Sequence, residues 1–171
     1  MPPAPPSSTP HRVGVIIPAA GSGLRLGGGT PKALRLLHGR SLLDRALIAM
    51  ASHPAVAEII VAVPADQVPT IAAALPSNRP KVRVVAGGAN RQASVAAALR
   101  ELSSDCDLVL VHDAARPSVP AAMVARVVDA VAGGAPAVVP GLPVHDTIKR
   151  IDANSIVVET PSRDALRAVQ T

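Results

Sequence analysis

The chain has 171 residues, 49% of them apolar and none of them Phe, Trp or Tyr, with a formal net charge of +5. That length fits one domain, and the composition is globular, with a core built from Val, Ile, Leu and Ala through close backbone approach. Lys and Arg are scattered instead of forming a block, which favours small anionic partners and, with no aromatic residue to stack on bases, disfavours nucleic acid.

Residues 1–12 are rich in Pro and Ser without an apolar segment, so a secretion signal is not indicated and a disordered tail is expected. Val13-Gly14-Val15-Ile16-Ile17, closed by Pro18, predicts a buried parallel strand opening into a loop. Ser41 and Asp44 are spaced like a capping box, which predicts a helix running to about His53. Beyond it the pattern predicts strand 58–63, helix 65–75, strand 82–85, helix 90–102, strand 108–111, helix 121–132 and strand 135–139. This alternation predicts an α/β fold with a doubly wound, mostly parallel, Rossmann-like sheet. Alternating residues 146–150 and 155–158 around Asp152-Ala153-Asn154 predict a hairpin, and so a protruding β-arm over about 144–160 of a domain spanning 13–171. The richest apolar stretch, 121–144, is interrupted by Arg126, Asp129 and several Gly and Pro, too broken to span a bilayer. Cys106, the one cysteine, has no internal partner; it reads as a packing residue and suits a cytoplasmic location.

Open parallel sheets bind ligands beyond the carboxyl ends of their strands, which directs attention to the segments following them. The first is Pro18-Ala19-Ala20-Gly21-Ser22-Gly23, with Arg25 and then Lys32 behind it. Small residues let main-chain N–H groups approach a polyanion and the cations neutralise it, which suits a triphosphate. The loop lacks the third glycine of a dinucleotide fingerprint and the Gly-Lys-Ser/Thr of a Walker loop. At the end of strand 108–111 comes His112-Asp113-Ala114-Ala115-Arg116-Pro117. Asp113 offers a hard oxygen for Mg²⁺ bridging the triphosphate, Arg116 can receive a second phosphate, and His112 reads as structural.

These strings, together with Gly87-Gly88 followed by Arg91 and Ser94, and Asp146-Thr147-Ile148-Lys149, resemble 2-C-methyl-D-erythritol 4-phosphate cytidylyltransferases of the non-mevalonate isoprenoid pathway. The resemblance runs from Val13 to the end of the chain. It implies transfer of CMP from CTP to the polyol phosphate with pyrophosphate released. Arg25 and Lys32 would stabilise the CTP phosphates as catalytic residues. Pro18, Ala19, Ala20, Gly21, Ser22, Gly23, Gly88 and Ser94 would bind the nucleotide, with Ala19, Ala20, Gly88 and Ser94 reading cytosine. Asp113 would position Mg²⁺ and substrate, and Arg116 would contact the acceptor. Thr147 and Arg163 would reach a neighbouring subunit's site, implying a homodimer through the arm. Ala89 departs from the acidic or polar residue common in the family, and the family continues beyond Thr171 into a further strand and helix, so the chain reads as C-terminally incomplete. A cytidylyltransferase for another polyol phosphate such as ribitol 5-phosphate, and a CTP-binding module without transfer, are the alternatives.

Overall fold

A computed structural model describes residues 11–21, 32–75 and 81–169, apart from the side chains of Lys32 and Lys81. The chain divides into two compact units after Ala135. In chain order the first unit contains β1 (Val13–Pro18), a short pair β2 (Leu36–Leu37) and β3 (Arg40–Ser41), α1 (Leu42–Ala51), β4 (Val56–Val63), α2 (Val68–Ala74), β5 (Lys81–Ala86), α3 (Arg91–Glu101), β6 (Leu108–Val111) and α4 (Ala121–Ala132).

Four strands make one sheet in the order β5-β4-β1-β6, and every pairing in it is parallel. Side chains alternate between faces of a strand, so a strand covered on both sides must be apolar at every position. β1 obeys this, and β4 does so at every position but Glu58. Val13, Val15, Ile17, Ile59, Val61 and Val63 pack in one cluster with Leu43, Ala46, Leu47 and Met50 of α1 and Val124 and Val128 of α4. Ile16, Ile60 and Ala62 form the other with Ala98 of α3. Helices therefore cover both faces, and the doubly wound parallel sheet stands as expected. Gly14 shows how an aromatic-free core closes up: a Cβ there would lie 2.7 Å from Leu102 Cδ2 and 3.3 Å from Cys106 Sγ. Cys106 packs at this contact, and burial, reinforced by Glu58, pushes its thiol pKa up.

Local signals account for the helix boundaries. Ser41 Oγ accepts the Asp44 N–H at 3.0 Å, satisfying one of the orphan donors at the start of α1. Asn90 Oδ1 does the same for Ala93 N at 2.8 Å at the start of α3. The predicted helix 65–75 is instead a 3-10 turn, Ala65–Gln67, followed by α2; Pro69 sits in the first turn of α2, where its missing N–H costs nothing.

The predicted strand 135–139 does not form. Pro136 and Pro140 have no N–H for a ladder, Gly134 turns the chain at φ 101°, and Val138 and Val139 stay exposed. The strand in this region is β7 (Gly141–Pro143), in the second unit, antiparallel to β10 (Arg167–Val169). That unit also holds the predicted hairpin, reduced to β8 (Arg150–Ile151) and β9 (Val157–Glu159). Asp152 Oδ1 accepts from Asn154 N and Ile156 N at 2.9 Å each, and Ser155 has φ 63°. Residues 146–149 are not strand. Leu142, Ile151, Ile156, Val157, Val158 and Val169 are all exposed.

Three residues depart from expectation. His11 and Arg12, assigned to the tail, are held by Asp107: its Oδ1 accepts Arg12 N at 2.7 Å and its own N–H reaches Arg12 O at 3.1 Å. Glu58, read only as the start of a strand, is 3% exposed. It sits near the amino end of β4, opposite the carboxyl edge, and accepts from Ser103 N at 2.5 Å and Arg83 Nη2 at 3.3 Å. Burial alone would raise its pKa; the Ser103 N–H, the Cys106 thiol and Arg83 outweigh burial and hold the carboxyl below the ordinary value.

Candidate functional site

Loops leaving β1, β5 and β6 emerge side by side because each hooks onto a neighbouring strand's last carbonyls. Ala19 N donates to Ala62 O at 2.7 Å, Gly87 N to Val63 O at 2.7 Å, and His112 N to Ile16 O at 2.9 Å. Pro18, Ala19, Ala20 and Gly21 are thereby brought to the same edge as Gly88 and Asp113. Ser22, Gly23 and Arg25 lie outside the described residues. Lys32 opens a 3-10 turn, Lys32–Leu34, whose Ala33 is buried in the core beside α1.

The first and second of these loops touch. A Cβ on Gly87 would stand 2.6 Å from Ala20 Cβ and 2.9 Å from Ser94 Oγ, and one on Gly88 only 2.4 Å from Ala93 Cβ and 3.0 Å from the Ala93 carbonyl carbon. The double glycine is thus required by close approach to α3. Ser94 is 2% exposed. Its hydroxyl accepts Gly88 N–H at 3.1 Å and donates to Asn90 O at 2.9 Å. Ser94 therefore shapes the turn, and the Gly88 N–H is already engaged by it.

In the third loop, Arg116 N donates to Asp113 O at 3.0 Å, and the buried Ala114 anchors the turn. His112 Nε2 lies 3.0 Å from Arg116 O, a bond it makes as the Nε2–H tautomer. Burial pushes its pKa down despite that bond and the nearby Asp113 carboxylate, so a neutral, structural imidazole is what the site holds at neutral pH. Asp113 Oδ1 accepts from Arg91 Nε and Nη2 at 3.1 and 3.0 Å, and Oδ2 from Arg116 Nε at 3.4 Å. The sequence motif contained Arg91, but its partnership with Asp113 was missed; its place directly after the capping Asn90 was the available signal.

Thr147 and Arg163 lie in the second unit. Arg163 Nη1 donates to His145 O, and Lys149 Nζ to Thr160 Oγ1 at 2.8 Å. His145, Arg163, Asp164 and Arg167 line a polar cleft of that unit. Among the described residues no group of three or more His, Cys, Asp or Glu is placed to cage a metal. Asp113 supplies one carboxylate, a donor set that fits Mg²⁺ only where phosphate oxygens and water complete the shell. No helix of the described residues is long and apolar enough to cross a membrane.

Residues 13–171 match the family profile of IspD, 2-C-methyl-D-erythritol 4-phosphate cytidylyltransferase. A Frankia casuarinae protein of that name is 51% identical over 94% of this chain, which spans 59% of the relative's length. A Streptomyces avermitilis protein of the same name is 48% identical over 97% of this chain and 70% of its own length. Among solved structures, 4-diphosphocytidyl-2C-methyl-D-erythritol synthase of Anaerococcus prevotii superposes with TM-score 0.81 at 30% identity, covering 94% of this chain and 69% of that one. The Thermus thermophilus cytidylyltransferase gives TM-score 0.67 at 40% identity, with 94% and 68% covered. A parallel sheet wrapped by helices, three loops meeting at its carboxyl edge and a profile match from the first strand onward have one common reading: the chain belongs to the 2-C-methyl-D-erythritol 4-phosphate cytidylyltransferase family.

Proposed function

We propose that the chain binds CTP where its three loops converge and transfers CMP to 2-C-methyl-D-erythritol 4-phosphate, releasing pyrophosphate, as a step of non-mevalonate isoprenoid precursor synthesis in the cytoplasm. The observation that carries this reading is the double glycine Gly87-Gly88, locked by Ser94 against Ala20, which brings the small residues of two loops together at the carboxyl edge of the sheet. Pro18, Ala19, Ala20, Gly21, Ser22, Gly23 and Gly88 then surround the nucleotide, with Ser94 acting through the turn it holds.

In the reaction a phosphate oxygen of the acceptor attacks the α-phosphorus of CTP and pyrophosphate leaves in line, so no covalent enzyme intermediate is needed. The protein has to align the reactants and place positive charge where negative charge accumulates. Arg25 and Lys32 take the triphosphate, and Arg116 takes the acceptor phosphate. Mg²⁺, when bound, would neutralise phosphate charge, with Asp113 as its protein ligand. Residues 144–160 act as an arm, and Thr147 and Arg163 reach the site of a second copy in a homodimer. The exposed apolar side chains of the second unit support such burial between copies.

The test is pyrophosphate release from a panel of CTP, UTP, GTP and ATP, each with methylerythritol phosphate or ribitol 5-phosphate, alongside light scattering of the chain. Release confined to CTP with methylerythritol phosphate, from a dimer, is expected. Preference for a purine triphosphate or for ribitol phosphate refutes the substrate assignment; CTP binding by calorimetry with no release leaves a binding module.

A further inference from the structure

One side-chain pair ties the nucleotide side of the site to the acceptor side, and the transfer chemistry above gives half of it no role. Arg91 is the first residue of α3, directly after the turn that Ser94 locks. Its guanidinium holds Asp113 Oδ1 through two N–H groups at 3.1 and 3.0 Å. Arg116, from Asp113's own loop, meets Oδ2 with a longer contact of 3.4 Å. The two contacts are unequal. The fork fixes the orientation of the carboxylate, whereas the Arg116 contact is the one an incoming phosphate can replace at least cost.

Fold maintenance is a poor account of the Arg91 pair, because its side chains are 52% and 25% exposed and ion pairs so open to water add little stability. A function at the site accounts for it better. An unpaired carboxylate beside a triphosphate would repel it and sample several rotamers; the Arg91 fork offsets that charge and holds one orientation. The geometry points to Arg91 as a positioning residue of the transfer reaction, holding Asp113 by Oδ1 so that Oδ2 stays on the Arg116 side for metal or acceptor. The inference rests on the function proposed above.

The experiment compares the unmodified chain with Arg91→Ala, Arg91→Lys, Asp113→Ala and the Arg91→Ala/Asp113→Ala double variant. It measures kcat, KM for each substrate, calorimetric CTP affinity and the far-UV denaturation midpoint. Arg91→Ala is expected to lower kcat about tenfold or more and raise the acceptor KM through misplacement of Asp113, with CTP affinity and the midpoint close to the unmodified chain. Lysine keeps the charge but not the fork, so Arg91→Lys recovers activity only in part. Added to Asp113→Ala, Arg91→Ala should cost less than about twofold more, since both act through one contact. A fully active Arg91→Ala, losses that multiply in the double variant, or a lowered midpoint with unchanged kinetics overturns the inference while leaving the proposed function standing. An unmodified chain that releases no pyrophosphate overturns both.

Discussion

Gly88→Ala tests the central packing claim about the site. The added methyl would stand 2.4 Å from Ala93 Cβ, 3.0 Å from its carbonyl carbon and 3.2 Å from its Cα. These are the side-chain stub and backbone of the first turn of α3, so no flexible side-chain end can move aside, and the helix or the turn has to shift. Overpacking of this kind costs about 1–3 kcal/mol, and displacing Gly88 N–H from Ser94 Oγ, now 3.1 Å away, removes a hydrogen bond worth about 1 kcal/mol. The sum, about 2–4 kcal/mol, moves a urea midpoint by about 1–2 M for a slope near 2 kcal/mol/M. Without Trp or Tyr in the chain, the transition has to be followed by far-UV circular dichroism, with CTP-dependent pyrophosphate release measured in parallel. Gly21→Ala is the control at the same edge, because a Cβ there meets nothing within 4 Å among the described residues; its midpoint should stay within about 0.5 kcal/mol of the unmodified chain. If both variants unfold at the same urea concentration and Gly88→Ala keeps full turnover, the double glycine is not a close-approach requirement and the reasoning fails.

Arg25→Ala and Lys32→Ala should each lower turnover roughly a hundredfold or more without moving the denaturation midpoint; full activity in either removes its catalytic role. Glu58→Gln should destabilise by about 1–3 kcal/mol at neutral pH, because it weakens charge-assisted bonds at a buried position. The folded-state pKa of Glu58 lies below the ordinary 4.5, so its stabilisation is complete above that value and is lost as pH falls through the folded-state pKa. The gap between the unmodified and Glu58→Gln chains should therefore narrow on acidification below pH 4.5, and a gap independent of pH contradicts the assignment. Burial and Glu58 raise the Cys106 thiol above its ordinary 9.0, so iodoacetamide should label the native chain much more slowly than the urea-unfolded chain at pH 8; equal rates would show the thiol is not packed.

Much of the first unit was legible in the sequence because the signals were local. Short apolar runs rich in Val and Ile, such as 13–17 and 59–63, favour buried parallel strands, the Ser41 cap opens a helix where its side chain meets the third residue on, and the helix 121–132 coincides with α4. The same locality made Gly87-Gly88 and Asp113-Arg116 stand out as motifs. Strand 135–139 failed for the complementary reason: its apolar residues and its place after a helix favoured a strand, but a strand needs a partner ladder, and Pro136 and Pro140 with exposed Val138 and Val139 show none taken up.

What no local pattern could carry was pairing across distance. The Arg91 to Asp113 fork joins residues 22 positions apart, and Glu58 meets Ser103 across 45. Such contacts arise only when crossovers stack α3 over β4 and bring strand ends to one edge. Composition and periodicity thus determined which segments become strands, helices and phosphate-sized loops, since those follow from steric and hydrogen-bonding limits a few residues long. Tertiary structure alone decided which charges neutralise one another, because electrostatic partners are chosen by proximity in space, and chain order does not encode that until the sheet has formed.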